Sequence, residues 1–231
     1  AALATPLVLS VHSVVSWDFA MAIVPGWHAT IFAPYFVAGA IFSGVGMVIT
    51  LTVPMRKFFG LEAYLTTKHY DAMAKLCLLT SMIVLYAYMS EFFMAWYSGE
   101  EVERTAFWNR LFGDYWWATW TMLVCNGLVP IMLWFKRVRH SIPALFVISI
   151  FINIGMWFER FVIVVTSLHH EYEPFAWGIY RPSTTEMMIM VGSFAWFGFW
   201  FLLFTRLLPP IAIQELKEVL PPPMRKQKEA H

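Results

Sequence analysis

The sequence predicts an all-α integral membrane protein of about six transmembrane helices, and three observations carry that prediction. Hydrophobic residues make up 59% of the chain and charged residues only 13%, against about 25% charged in a soluble domain. Aromatic residues reach 18%, with 12 Trp and 21 Phe, more apolar surface than a soluble interior of this size can hide. Apolar runs of about 20 residues, the length a bilayer demands, recur along the chain. Short breaks rich in Pro, Gly and charge divide them: PGW, PMRKFFG, SGEEVER, KRVRHSIP and YRPSTTE.

In chain order the predicted spans are 1–23, 31–53, 75–97, 115–135, 142–167 and 186–208. No soluble domain interrupts them, so residues 1–208 read as one transmembrane helical domain and 209–231 as a polar, Pro-rich tail ending PPPMRKQKEAH. The chain opens in an apolar run, with no initiator Met and no signal-peptide layout. The expectation is therefore that further residues precede Ala1. On the second span, Gly39, Ser43, Gly44 and Gly46 predict close helix packing.

Basic residues set the expected orientation. Arg56, Lys57, Lys68 and Lys75 flank the second connection, Lys136, Arg137 and Arg139 the fourth, and Arg206, Lys217, Arg225, Lys226 and Lys228 the C-terminal side. Only Arg104, Arg110 and Arg181 fall on the opposite face, and Arg160 lies within a span. The C-terminus is thus expected in the cytoplasm. The outer loops hold the aromatic and acidic run GEEVERTAFWNRLFGDYWW, suited to a membrane interface.

Several function classes drop out. A net charge of +1 gives no basic face for nucleic acid. Cys77 and Cys125 both lie in apolar runs, which predicts neither a disulfide framework nor a thiolate metal site. His12 is the one histidine well inside a predicted span, so a transmembrane haem with two axial ligands from this chain is not expected. No phosphate loop, nucleophile elbow or HExxH occurs.

Ionisable residues inside a bilayer are costly and mark function by default. The first span carries His12, Ser13, Ser16 and Asp18, the third Glu91 after Tyr86, Tyr88 and Ser90, and the fifth Asn153, Glu159 and Arg160. With the orientation above, Asp18, Glu91 and Glu159 all fall in the outer half of the membrane. Glu159 and Arg160 are adjacent and so diverge by about 100° around the helix, which predicts partners on other helices. His169 and His170 are expected to be solvated in an outer loop. His69, Asp71 and Lys75 stand at the inner entrance of the third span, as a snorkelling cluster or the start of a proton path.

Two stretches, HSVVSWDFA (12–20) and PGWHATIFAPYFVAGAIFSG (25–44), resemble the NrfD/PsrC-type membrane subunits of quinol oxidoreductases. Within that superfamily they resemble most the ActC-type subunit of bacterial alternative complex III. TTKHYDAMAKL, YMSEFFMAWYSG, MWFERFV and LLPPIAIQELKEVLP follow in a similar order. The resemblance implies two four-helix bundles with peripheral helices. This chain would supply one helix of the first bundle, the whole second bundle and one peripheral helix. It implies a multi-pass subunit of the bacterial cytoplasmic membrane that binds no redox cofactor itself and oxidises quinol, menaquinol or ubiquinol, near the periplasmic face. The implied partners are an iron–sulfur subunit, a multihaem cytochrome c subunit, a paralogous NrfD-like subunit and a terminal oxidase. Iron–sulfur clusters and c-type haems would reside in those partners.

Quinol oxidation releases two protons with two electrons. A histidine that titrates near neutrality, beside a carboxylate, suits that task. His12 and Asp18 are the expected catalytic pair, with His69, Glu91, Glu159 and Arg160 on a proton pathway. The competing expectations are a proton-coupled secondary transporter, which would carry inverted repeats and broken helices, and a membrane anchor of another respiratory complex.

Overall fold

Pro25 and Gly26 end the first predicted span early. In a computed structural model of the chain, which describes residues 3–209 and residue 211, the first helix, α1, runs Ala4–Ala20. Its 17 residues rise only about 25 Å, so α1 falls short of the span expected over 1–23. Residues beyond it turn over the bundle, with Gly26 at φ 78.

Five helices are long and apolar enough to cross a membrane. They are α2 (Phe32–Phe58), α3 (Thr67–Ser98), a fifth helix in chain order, α5 (Trp116–Trp134), then α6 (Ile142–His169) and α7 (Thr184–Leu207). Between α3 and α5 lies α4, Glu101–Phe112, an interfacial helix where the sequence had predicted loop. No strand occurs among the described residues. The expected tail over 209–231 lies almost wholly outside them.

Local chemistry explains the helix ends. Thr66 and His69 form a reciprocal cap at the start of α3, satisfying backbone donors that no helical carbonyl reaches. His69 Nδ1 accepts from the Thr66 backbone at 3.2 Å. Gly99, at φ 71, terminates the helix in the left-handed region. Ser183 and Glu186 repeat the capping arrangement on α7. That helix belongs to a separate unit beginning at Arg181.

Both α5 and α6 contain a π turn, Val124–Leu128 and Val162–Thr166 respectively. Such wide turns recur at functional positions. Here they bracket the buried polar residues described below.

Helices α2, α3, α5 and α6 enclose two apolar clusters. The outer one, named throughout for the orientation expected from the basic residues, gathers Phe32, Tyr35, Phe36, Val84, Tyr88, Met122 and Val162. The inner one gathers Phe42, Ile49, Tyr70, Cys77, Leu133, Leu145 and Ile152. Gly39 and Gly46 do allow close packing of α2 on α6. A Cβ at Gly46 would lie 2.9 Å from Ile152 Cγ2, and one at Gly39 3.3 Å from Met156 Cε. Gly44 faces open space, so it takes no part in that packing. Thr50 donates to Ser149 and accepts from Asn153, both at 2.8 Å, joining the same helices. Large apolar side chains such as Leu79, Met82, Phe151 and Trp157 face outward, as a lipid environment favours.

At the inner end, Asp71 pairs with Lys75 at 2.6 Å, Arg139 at 2.9 Å and His140 at 3.6 Å. Arg139 also donates to the carbonyls of Leu133 and Trp134. His69 does not join this cluster, because its ring turns back to cap α3.

Candidate functional site

The polar residues of the outer half divide between a buried core and a cleft. The core centres on Glu159, which is fully buried on α6. Tyr88 of α3 donates to Glu159 Oε2, and Asn126, within the α5 π turn, donates to the Tyr88 hydroxyl at 3.0 Å and to the same carboxylate oxygen at 3.4 Å. Arg160 lies 3.3 Å from Glu159 Oε1 and stacks over Phe36 at 4.4 Å. Sequence reasoning assigned these adjacent residues partners on other helices. Those partners are present, Tyr88 and Asn126 for Glu159 and Phe36 for Arg160, and the two residues also pair with each other because the long guanidinium stem folds back across the divergence.

Gly155 makes the core possible. A Cβ there would run into the Asn126 side chain and lie 2.6 Å from Cys125 Cβ. Only a glycine lets α6 approach the α5 π turn closely enough for Asn126 to reach Glu159.

A second buried charge comes from α4. Arg110, 6% exposed, donates to Ser167 Oγ at 2.6 Å and stacks over Phe107 at 4.4 Å. Burial lowers the pKa of its guanidinium, while the charges of Glu91, then Tyr35 and Glu103, act to raise it. Gly26 leaves it room, since a Cβ at that position would sit 2.6 Å from the guanidinium.

Between these groups lies a cavity of about 20 Å³ lined by Tyr35, Tyr88, Glu91, Arg110 and Thr119. That is room for one water molecule. Glu91 Oε1, Arg110 Nε, Thr119 Oγ1 and Asn126 Oδ1 are buried without a hydrogen-bond partner. Buried polar atoms left unpaired are costly, and a water here would meet the needs of those that line the cavity.

Glu91 also lines a larger cleft of about 740 Å³ that runs along the last turns of α3. Its walls include Ile31, Tyr86, Met89, Phe93 and Met94. At its mouth His28 Nε2 meets Glu103 at 2.7 Å. With Glu100 these form the one His–carboxylate group among the described residues close enough to share a cation, their ligating atoms within 4.8 Å. The sequence reading had assigned no metal site.

The expected site residues therefore part company. Glu91 and Glu159 converge on the cavity, Glu91 directly and Glu159 through Tyr88. His12 and Asp18 do not meet. They are six residues apart on one helix, about 9 Å along its axis. His12 Nδ1 bonds the Val8 carbonyl at 2.8 Å, and Asp18 is exposed. His169 is not solvated as expected. It is 9% exposed, bonds the Gly178 carbonyl at 2.5 Å and faces Asp114 at 3.3 Å. His170 stacks on Trp177 at 3.8 Å, and burial lowers its pKa, with the His169 charge as a lesser cause.

Sequence reasoning missed Asn126, Arg110 and Tyr35 as site residues. An asparagine in the apolar run CNGLVP carried a signal. Arg110 carried none, since its burial depends on α4 folding over Ser167.

The family profile described as "Polysulphide reductase, NrfD" matches residues 1–170. The chain belongs to the NrfD family. It is accordingly a multi-pass membrane protein, and Glu91, Arg110, Asn126 and Glu159 all lie within the matched region. Over 218 aligned residues it is 28% identical to a Halobacterium salinarum protein provisionally named as a membrane subunit of dimethyl sulfoxide reductase, covering 82% of this chain. The chain spans about half, 48%, of that relative's length.

Proposed function

We propose that this NrfD protein is a quinol-oxidising membrane subunit of the ActC type, working in the bacterial cytoplasmic membrane with its C-terminus inside. Quinol is held near the outer face and loses two electrons and two protons. The electrons pass to an iron–sulfur partner subunit and on to cytochrome c subunits. His12 and Asp18 on α1 contact the quinol, and the protons travel through the chain's own buried carboxylates. The cofactors stay in the partners.

The buried Glu159–Tyr88–Asn126 network, set beside a one-water cavity that also touches Glu91, is the observation that carries this proposal. A carboxylate, a phenol and a water site in series form a proton relay. Burial among apolar helices keeps bulk water from short-circuiting it. Arg110 and Arg160 supply compensating positive charge at either end.

The relative named for dimethyl sulfoxide reductase favours a second proposal. In it the same quinol electrons leave through an iron–sulfur partner to a substrate reductase instead of cytochromes. Purification of the intact complex separates the two. A c-type haem absorption band supports the first, and its absence with iron–sulfur signals retained supports the second. The shared core is tested by quinol oxidation in complexes carrying Glu159→Gln, Asp18→Asn or His12→Ala. Loss of turnover is expected in each, and wild-type turnover in all three would overturn the assignment.

A further inference from the structure

The 740 Å³ cleft includes neither residue of the α1 pair, yet it shares Glu91 with the water-sized cavity beside the relay. Its volume lies within the range of small-molecule sites. One wall is apolar, from Ile31, Met89, Phe93 and Met94. The Glu91 carboxylate stands at the other, shared with the water-sized cavity. We propose that this cleft is a second quinol-binding position, in which a quinol hydroxyl donates to Glu91 while the ring and tail lie against α3.

Charge selects the occupant. The cleft carries Glu91 and the Glu103 of the His28–Glu103 pair. A phospholipid phosphate would meet two carboxylates and no Lys or Arg in the lining, which is unfavourable. A neutral diol instead offers an O–H donor to the Glu91 carboxylate. Ser90 and Ser98 line the same cleft and can accept or donate at the second oxygen. The exposed aromatic rings of Tyr86 and Phe93 supply flat surface for a quinone ring. The position is also mechanically apt: Glu91 touches both the cleft and the water-sized cavity. When the oxidised iron–sulfur partner takes both electrons from a quinol held here, one proton passes to Glu91, already at the relay's entrance, and the other leaves to water at the open side of the cleft. The proposal rests on the chain being a quinol-handling subunit, and it adds a site separate from α1.

The test uses the whole complex in nanodiscs stripped of quinone, with a short-chain azido-quinone as photolabel. Label is expected on peptides from 26–31 and 86–98, and excess decylubiquinol should compete it away. Met94→Trp puts an indole at the exposed cleft wall and should cut that labelling at least tenfold. Glu91→Gln keeps the shape and should weaken decylubiquinol competition about tenfold. Label confined to α1, or displaced by phosphatidylglycerol but not by decylubiquinol, would overturn the proposal. So would unchanged labelling in Met94→Trp, a surface change that tolerates folding. A complex that never oxidises quinol refutes the underlying function instead. Turnover intact with an unlabelled cleft refutes the cleft alone.

Discussion

The two ends of the helical bundle hold charge in opposite ways. At the inner end, Asp71 is met by Lys75, Arg139 and His140, and the Arg139 guanidinium also satisfies two carbonyls. Each charged member of that cluster has a partner and much of it touches solvent, although the nearby buried Tyr70 hydroxyl has none. At the outer end, Glu159 and Arg110 are buried, and five polar atoms of their group lack a hydrogen-bond partner: Glu91 Oε1, Arg110 Nε, Thr119 Oγ1, Asn126 Oδ1 and Glu159 Oε1. A saturated cluster fixes geometry. An unsaturated one beside a cavity keeps room for something that comes and goes. On the proposed function, the outer half is the working half and the inner its fastening.

The largest expected effect breaks the comparison at its outer side. Glu159→Gln keeps the volume and the Tyr88 and Asn126 contacts but removes the proton acceptor. Quinol oxidation by the purified complex should fall about 100-fold or more, in line with loss of a general acid–base group. Unchanged turnover would make Glu159 structural like Asp71. Next comes Gly155→Ala, which drives a methyl into Asn126. Overpacking of this kind costs about 1–3 kcal/mol, measured as a lowered thermal midpoint in detergent, with turnover reduced alongside.

Smaller effects test the inner side. Arg139→Ala should lower the thermal midpoint by about 2–4 °C, since the pair is worth about 1 kcal/mol. Turnover per folded complex should hold within twofold. The smallest effect belongs to His69→Ala, which removes half of a reciprocal cap worth about 0.5–1 kcal/mol. If it instead halves turnover or worse, His69 moves from the fastening to the relay and the division between the ends fails.

Much of the fold was legible because transmembrane helices announce themselves by length and hydropathy. Spans expected at 31–53, 142–167 and 186–208 correspond to α2, α6 and α7 with shifted ends. The third helix starts eight residues earlier than predicted, at Thr67, because Lys68, Asp71 and Lys75 looked like loop while a cap at Thr66 lets them form a helical first turn. The interfacial α4 was invisible to a search for apolar runs. Its Glu101, Glu103 and Arg104 gave the signature of a solvated loop.

Site residues were legible only as far as cost in the membrane reveals them. Glu91 and Glu159 stood out as carboxylates inside spans; Glu91 lines the small cavity, and Glu159 is joined to it through Tyr88. Grouping Asp18 with them by depth said nothing of helix face, and Asp18 points elsewhere. The angle between neighbouring Cβ atoms correctly sent Arg160 to another helix, at Phe36, but ignored the reach that also brings it back to Glu159. The Asn126 contact depends on a π turn and on Gly155, neither of which a count of apolar residues can see.

The π turn at Val162–Thr166 has one further consequence. It amounts to a single residue inserted into the phase of α6. Removing that residue would leave hydropathy and composition almost unchanged, yet everything beyond it would swing by about 100°. Ser167 would turn away from Arg110, and His169 from Gly178 and Asp114. Within this family, alignments that close a one-residue gap at that turn would match residues that face different sides of the helix.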